Sequence, residues 1–178
     1  MPFEFKRTGL QDVFLVIPKV FKDDRGFFME TYEKRTFESA GIHMNLVQSN
    51  HSKSTKGVLR GLHFQKEPFS QAKLVRCIRG EILDVAVDVR KNSKTFGKHV
   101  KFILSEDNKN MLYIPRGFAH GFLVLSDTAE VVYDVDNFYS AANEAGLIWN
   151  DKTVSIDWGI ENPILSEKDK KWPKLEEL

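Results

Sequence analysis

The chain has 178 residues, and 26 Lys and Arg against 25 Asp and Glu leave a formal net charge of +1. That balance offers no electrostatic footprint for nucleic acid or an anionic membrane, and the 42% hydrophobic content argues against disorder. Cys77 is the only cysteine, which excludes an intrachain disulfide and a cysteine-based zinc cluster, and no apolar run approaches the roughly 18 residues of a membrane helix.

Met1-Pro2-Phe3-Glu4-Phe5-Lys6 lacks the apolar stretch of a signal peptide, so one cytoplasmic domain over residues 1–178 is expected. Strand character begins at residues 26–32. Residues 33–40, followed by Gly41, read as two helical turns with a glycine cap. Further strand segments are residues 46–50, 74–79 and 81–90. In the last of these Leu83, Val85, Val87 and Val89 alternate with Asp84, Asp88 and Arg90, the period of a half-buried strand. Residues 100–104, 111–115, 118–125 and 129–136 complete the set, separated by breaks rich in Gly, Pro, Asn and Asp. Ser166 and Asp169 have capping-box spacing before a short helix that Pro173 would end. Many short strands at this spacing predict an all-β sandwich or barrel with short peripheral helices.

Two strand-like segments concentrate polar residues: Gly57-Val58-Leu59-Arg60-Gly61-Leu62-His63-Phe64-Gln65 and Ile114-Pro115-Arg116-Gly117-Phe118-Ala119-His120-Gly121-Phe122. Together they resemble the two motifs of the cupin jelly roll. Metal-binding cupins supply His-x-His and Glu from the first motif and a further His from the second. Here Gln65 and Lys73 fall in the second and third ligand slots. A protonated ammonium repels a divalent cation, so no metal and no other cofactor is expected. A histidine base beside a fixed cation suits proton abstraction next to a carbonyl, because the cation stabilises the enolate oxyanion as it forms. Inversion of a stereocentre needs a proton donor on the opposite face, and Tyr133 is a candidate.

With Asp24-Arg25-Gly26-Phe27-Phe28-Met29-Glu30, Gln48-Ser49-Asn50-His51-Ser52, Gln71-Ala72-Lys73-Leu74-Val75-Arg76 and Glu144-Ala145-Gly146, the chain resembles the dTDP-4-dehydrorhamnose 3,5-epimerase family along almost its whole length. That resemblance implies a jelly roll that epimerises carbons 3 and 5 of dTDP-4-dehydro-6-deoxy-D-glucose in dTDP-rhamnose biosynthesis. It further implies His63 as base with Asp169 as its partner, Tyr133 as acid and Lys73 at the substrate carbonyl. Arg25, Glu30, Gln48, Ser49, Asn50, Arg60, His120, Glu144 and Lys168 would line the sugar-nucleotide site, and Tyr139 would stack on the thymine. A homodimer with strand exchange is implied as the assembly.

Plainer readings stand beside these. His63 and Tyr133 could be packed residues, Lys73 a solvated strand lysine, and Asp169 only the fourth residue of a capping box. Arg25 and Arg60 could be surface ion-pair partners, whereas a diphosphate suits guanidinium better. His51 and His120 either orient substrate or belong to a polar core network. His43, His99 and Cys77 read as structural. Competing functions are a 3-epimerase or ketoisomerase on the same site, a metal-dependent cupin oxygenase, and a non-catalytic sugar-nucleotide module. Of the 14 Phe, those at 27, 28, 64, 118 and 122 are expected to wall the barrel.

Overall fold

The computed structural model describes residues 2–178. Thirteen strands and one short helix follow in order: β1 (Phe3–Arg7), β2 (Phe14–Pro18), β3 (Phe21–Asp23), β4 (Gly26–Phe28), α1 (Lys34–Ser39), β5 (Gln48–Thr55), β6 (Leu59–Gln65), β7 (Lys73–Arg79), β8 (Glu81–Asp88), β9 (His99–Ser105), β10 (Met111–Ile114), β11 (Phe118–Val124), β12 (Thr128–Val135) and β13 (Glu144–Gly146). They form a six-stranded sheet β1-β2-β10-β7-β12-β5, a five-stranded sheet β13-β6-β11-β8-β9 and a small hairpin β3-β4. Every ladder between these strands is antiparallel. The two large sheets pack face to face as a jelly roll, with short helical elements at the periphery, as the strand spacing predicts. Among the described residues no helix is long and apolar enough to cross a membrane.

Three apolar clusters hold the layers. Between the sheets, Val75, Leu112, Ile114 and Val131 meet Ile82, Ala86, Leu104, Phe118 and Phe122. Outside the six-stranded sheet, α1 contributes Phe37 to a layer with Phe3, Phe14, Ile42, Met44 and Tyr113. Outside the five-stranded sheet, the C-terminal segment lays Leu147, Val154, Trp158 and Leu175 on Leu59, Leu62, Val85 and Val87.

That outer layer corrects the half-buried reading of residues 81–90. Val85 and Val87 face outward but lie under the C-terminal segment, while Asp84 faces the interior beside Ile82 and Ala86, fully buried. The strand ends at Asp88 because its carboxylate turns the chain, accepting from the Arg90 backbone and guanidinium and from Ser93 and Thr95. The strand expected over residues 26–32 shrinks to β4, which pairs only with β3. The helix is found at Lys34–Ser39, with the Glu33 carboxylate accepting from the Arg35 and Thr36 backbones. Near the end a 3-10 turn spans Asp169–Lys171, and the Ser166 hydroxyl accepts from the Asp169 N–H at 3.1 Å.

Candidate active site

Alternation along the strands selects which side chains enter the barrel. On β7 the inward set is Lys73, Val75 and Cys77, and on β12 it is Ala129, Val131 and Tyr133. From the opposite sheet β6 supplies His63 and β11 supplies His120, directly paired in register. Two glycines allow that pairing. A side chain at Gly61 would strike the His120 carbonyl and the Gly121 backbone, and one at Gly121 would strike the Arg60 carbonyl. His63, Lys73, His120 and Tyr133 surround a cavity of about 570 Å³, which Ser52, Arg60, Phe122, Glu144, Lys168 and Asp169 also line. A second chamber of about 210 Å³ shares His63, Lys73 and Tyr133 and adds Gln48, Asn50 and Gln71.

His63 Nε2 lies 2.5 Å from Asp169 Oδ1, joining residues 106 positions apart. A carboxylate only accepts, so Nε2 carries the proton and Nδ1 is left as the basic atom. Burial works against the Asp169 charge, but hydrogen bonds from His63, Ser166 and Trp172 outweigh it and hold the carboxyl below its ordinary range. Asp169 is thus committed to His63 rather than to a reciprocal cap; only the Ser166 half of the capping box forms.

Lys73 is buried, and its ammonium donates to the His63 carbonyl oxygen at 3.4 Å. Burial pushes its pKa down to about 8, against the pull of the Asp84 and Glu144 carboxylates. The Nζ lies 6.0 Å from the centre of the Tyr133 ring. Burial raises the Tyr133 phenol above its usual range, so it is protonated at neutral pH.

His120 forms a second histidine–carboxylate pair, Nε2 to Asp84 Oδ1 at 2.7 Å, with both groups buried. Burial lowers the His120 pKa and outweighs the Asp84 charge, so this imidazole is neutral, with Nε2–H donating. Asp84 Oδ2 and the Ser52 hydroxyl have no hydrogen-bond partner among the described residues.

Charge at the cavity mouth is networked. Glu144 accepts from Lys168 at 2.6 Å and from the Tyr139 hydroxyl at 3.1 Å. Arg60 donates to the Ser54 hydroxyl at 2.9 Å and keeps most of its guanidinium free of carboxylates. The site therefore sets an imidazole and a phenol on opposing sheets, with a buried ammonium beside both and exposed cations at the entrance.

The model of the dTDP-4-dehydrorhamnose 3,5-epimerase family matches residues 7–177. The chain belongs to that family.

Its relatives include a dTDP-4-dehydrorhamnose 3,5-epimerase of Shigella flexneri, 58% identical over 164 residues, covering 92% of this chain and 91% of the relative. Among solved structures, the epimerase from Elizabethkingia anophelis superposes with a TM-score of 0.95 at 48% identity, covering 99% of this chain and 98% of the other. A dTDP-6-deoxy-D-glucose-3,5-epimerase from Legionella pneumophila, in complex with dTDP-4-keto-L-rhamnose, superposes at 0.94 with 41% identity, covering 98% and 93%.

Of the residues the family resemblance points to, His63, Lys73, Tyr133, Asp169, Gln48, Asn50, Arg60, His120, Tyr139, Glu144 and Lys168 all line the two chambers. Three do not. Ser49 falls between Gln48 and Asn50 and, by strand alternation, faces outward and is exposed. Arg25 sits at the tip of the β3-β4 hairpin, 90% exposed and paired with Asp23, and Glu30 follows on the exposed segment after β4. Phe27 and Phe28 are likewise exposed on that hairpin and do not wall the barrel, unlike the buried Phe118 and Phe122.

The sequence reading missed Asp84, Ser52 and Trp172. For Asp84 the available signal was a lone carboxylate within the apolar stretch of residues 82–87. Gln65, in the vacant ligand slot, proves to be a clamp: its amide donates to the Phe69 and Phe138 carbonyls and accepts from the Ser140 N–H.

Proposed function

We propose that this protein epimerises carbons 3 and 5 of dTDP-4-dehydro-6-deoxy-D-glucose to give dTDP-4-dehydro-L-rhamnose. The observation that carries the reading is the placement of His63 and Tyr133 on opposing sheets with the Lys73 ammonium beside both. His63 Nδ1 takes the proton from a carbon next to the keto group, and the electron pair moves onto the carbonyl oxygen. Lys73 stabilises that oxyanion in a site where few water dipoles compete. The imidazolium is supported through Nε2–H by Asp169. Tyr133 delivers its proton to the opposite face of the same carbon, which inverts it. Both carbons flank the same carbonyl, so one oxyanion site serves both cycles after the base and acid exchange protons with solvent.

Arg60 and Lys168 suit the diphosphate, since both are cations at the cavity mouth. Tyr139, 54% exposed and anchored by Glu144, suits stacking on the nucleobase. We further read the protein as a cytoplasmic homodimer. Phe21, Phe27 and Phe28 are exposed together on the β3-β4 hairpin, and a second copy seated there would cover them. Light scattering tests the assembly, and a monomer at micromolar concentration would reject it.

Turnover in deuterium oxide tests the chemistry. Solvent deuterium is expected at both carbons, and His63→Ala is expected to lose it by roughly 10²–10⁴-fold. Label confined to carbon 3 would reduce the activity to a 3-epimerase, and full exchange by His63→Ala would remove His63 from the role of base.

A further inference from the structure

We propose that Trp172 is a positioning residue of this site: its indole, seated on Gly146, holds the Asp169 carboxylate in the orientation that accepts from His63. The inference rests on the assignment of His63 as base made above.

Three observations converge on Trp172. Its Nε1–H donates to Asp169 Oδ1 at 3.1 Å, the same oxygen that accepts from His63 Nε2–H at 2.5 Å. The indole and imidazole meet edge to face, with centres 5.8 Å apart and planes at 71°. Beneath the indole lies Gly146, the register partner of His63 on the neighbouring strand β13. A methyl group at Gly146 would fall inside the Trp172 ring, against Cδ2, Cε2 and Cγ. Gly146 has no positive φ to explain its lack of a side chain, so the close approach of the indole is what requires it.

The geometry has a chemical consequence. Without the indole N–H, Oδ1 keeps only its bond from His63, and a rotation of the carboxylate takes the acceptor from the base it supports. The indole N–H removes that freedom, and the flat ring blocks the imidazole from swinging toward the tail. Trp172 also shares the negative charge of Oδ1 with the His63 N–H. The contact spans the chain: Trp172 follows the 3-10 turn at Asp169–Lys171, and the next residue, Pro173, accepts from the Ile148 N–H at 2.9 Å. The tail is therefore pinned immediately after the residue it presents.

The test is Trp172→Phe, which keeps a ring over Gly146 and deletes the N–H. The expected result is kcat lowered roughly tenfold with KM within about twofold, by analogy with the partners that orient other catalytic ligands. The acid limb of the kcat/KM profile should move to higher pH, because Asp169 then gives its whole charge to the imidazolium. Wild-type kcat with an unmoved acid limb would overturn the proposal. So would a lowered melting temperature with both kinetic features intact, which is the signature of a purely structural tail anchor.

If Trp172→Phe does not fold, the wild-type protein labelled with 15N at its three tryptophans still decides. One indole N–H resonance should titrate with the midpoint of that acid limb, and titration of none would overturn the proposal. His63→Ala, assayed in parallel, separates the two readings. Full solvent exchange by His63→Ala defeats the base assignment itself. An inactive His63→Ala beside an unaltered Trp172→Phe defeats only the role of Trp172.

Discussion

His63 and His120 stand opposite each other on adjacent strands, each hydrogen-bonded through Nε2 to an aspartate, yet their surroundings give them different chemistry. The His63 side chain is 28% exposed to the cavity, while that of His120 is 6% exposed and its partner Asp84 is completely buried. Proton traffic suits the first pair. Burial keeps the second imidazole neutral, as a fixed dipole in the cavity wall.

His120 makes stability depend on pH. Its folded pKa lies below the unfolded value, so between the two the unfolded chain binds more protons and acidification favours unfolding. Urea melts should show stability falling as pH drops below about 6.5, with a shallower fall in His120→Asn. His120→Ala leaves the Asp84 carboxylate buried without its partner and should cost about 3–5 kcal/mol at neutral pH.

Lys73 sets activity against stability. With its ammonium pushed down to about 8, turnover should decline as pH rises through that value and the oxyanion loses its cation. A buried lysine with a depressed pKa destabilises the fold below that pKa, and the penalty fades as pH climbs toward the unfolded value. Lys73→Met should therefore abolish turnover while stabilising the protein at neutral pH by on the order of 1–3 kcal/mol, read as a higher melting temperature.

Tyr133→Phe separates the half-reactions. The base and the cation remain, so substrate protons should still exchange with deuterium oxide, while inverted product falls by roughly 10²–10⁴-fold. Inversion at the wild-type rate would place the proton donor elsewhere.

Gln65→Ala should weaken the mouth rather than the chemistry. Its buried amide ties together the chain at Phe69, Phe138 and Ser140 through three hydrogen bonds, next to Tyr139. Losing it should cost about 1–3 kcal/mol for the groups left unpaired. KM should rise more than kcat falls, and steady-state kinetics with a thermal melt check both.

The apolar-faced strands β7, β11 and β12, which carry Lys73, His120 and Tyr133, were legible in the sequence to within a residue or two; the polar strand β5 was read only in part, as residues 46–50. The apolar runs of β8 and β11 stood out, but β5 reads Gln48-Ser49-Asn50-His51-Ser52-Lys53-Ser54-Thr55, polar on both faces, because its inward set lines the site. Its extension to Thr55 follows only from the pairing with β12, which runs from Val135 opposite Gln48 to Thr128 opposite Thr55. Periodicity also could not say that the valine face of β8 is the outer one, since the C-terminal segment that covers it lies far along the chain.

By itself the sequence determined the all-β class and the residue types of the site, because strand alternation and the runs around His63, Lys73 and His120 are local properties of the chain. The tertiary structure decided which of those residues share a cavity and on what terms. Closing β6 against β11, β7 against β12 and the tail against β13 places His63 on Asp169, buries Lys73 between carboxylates and sets Trp172 on Gly146. It also leaves Arg25 on an exposed hairpin. Burial and long-range contact set the proton affinities of these groups, and no window of neighbouring residues contains either.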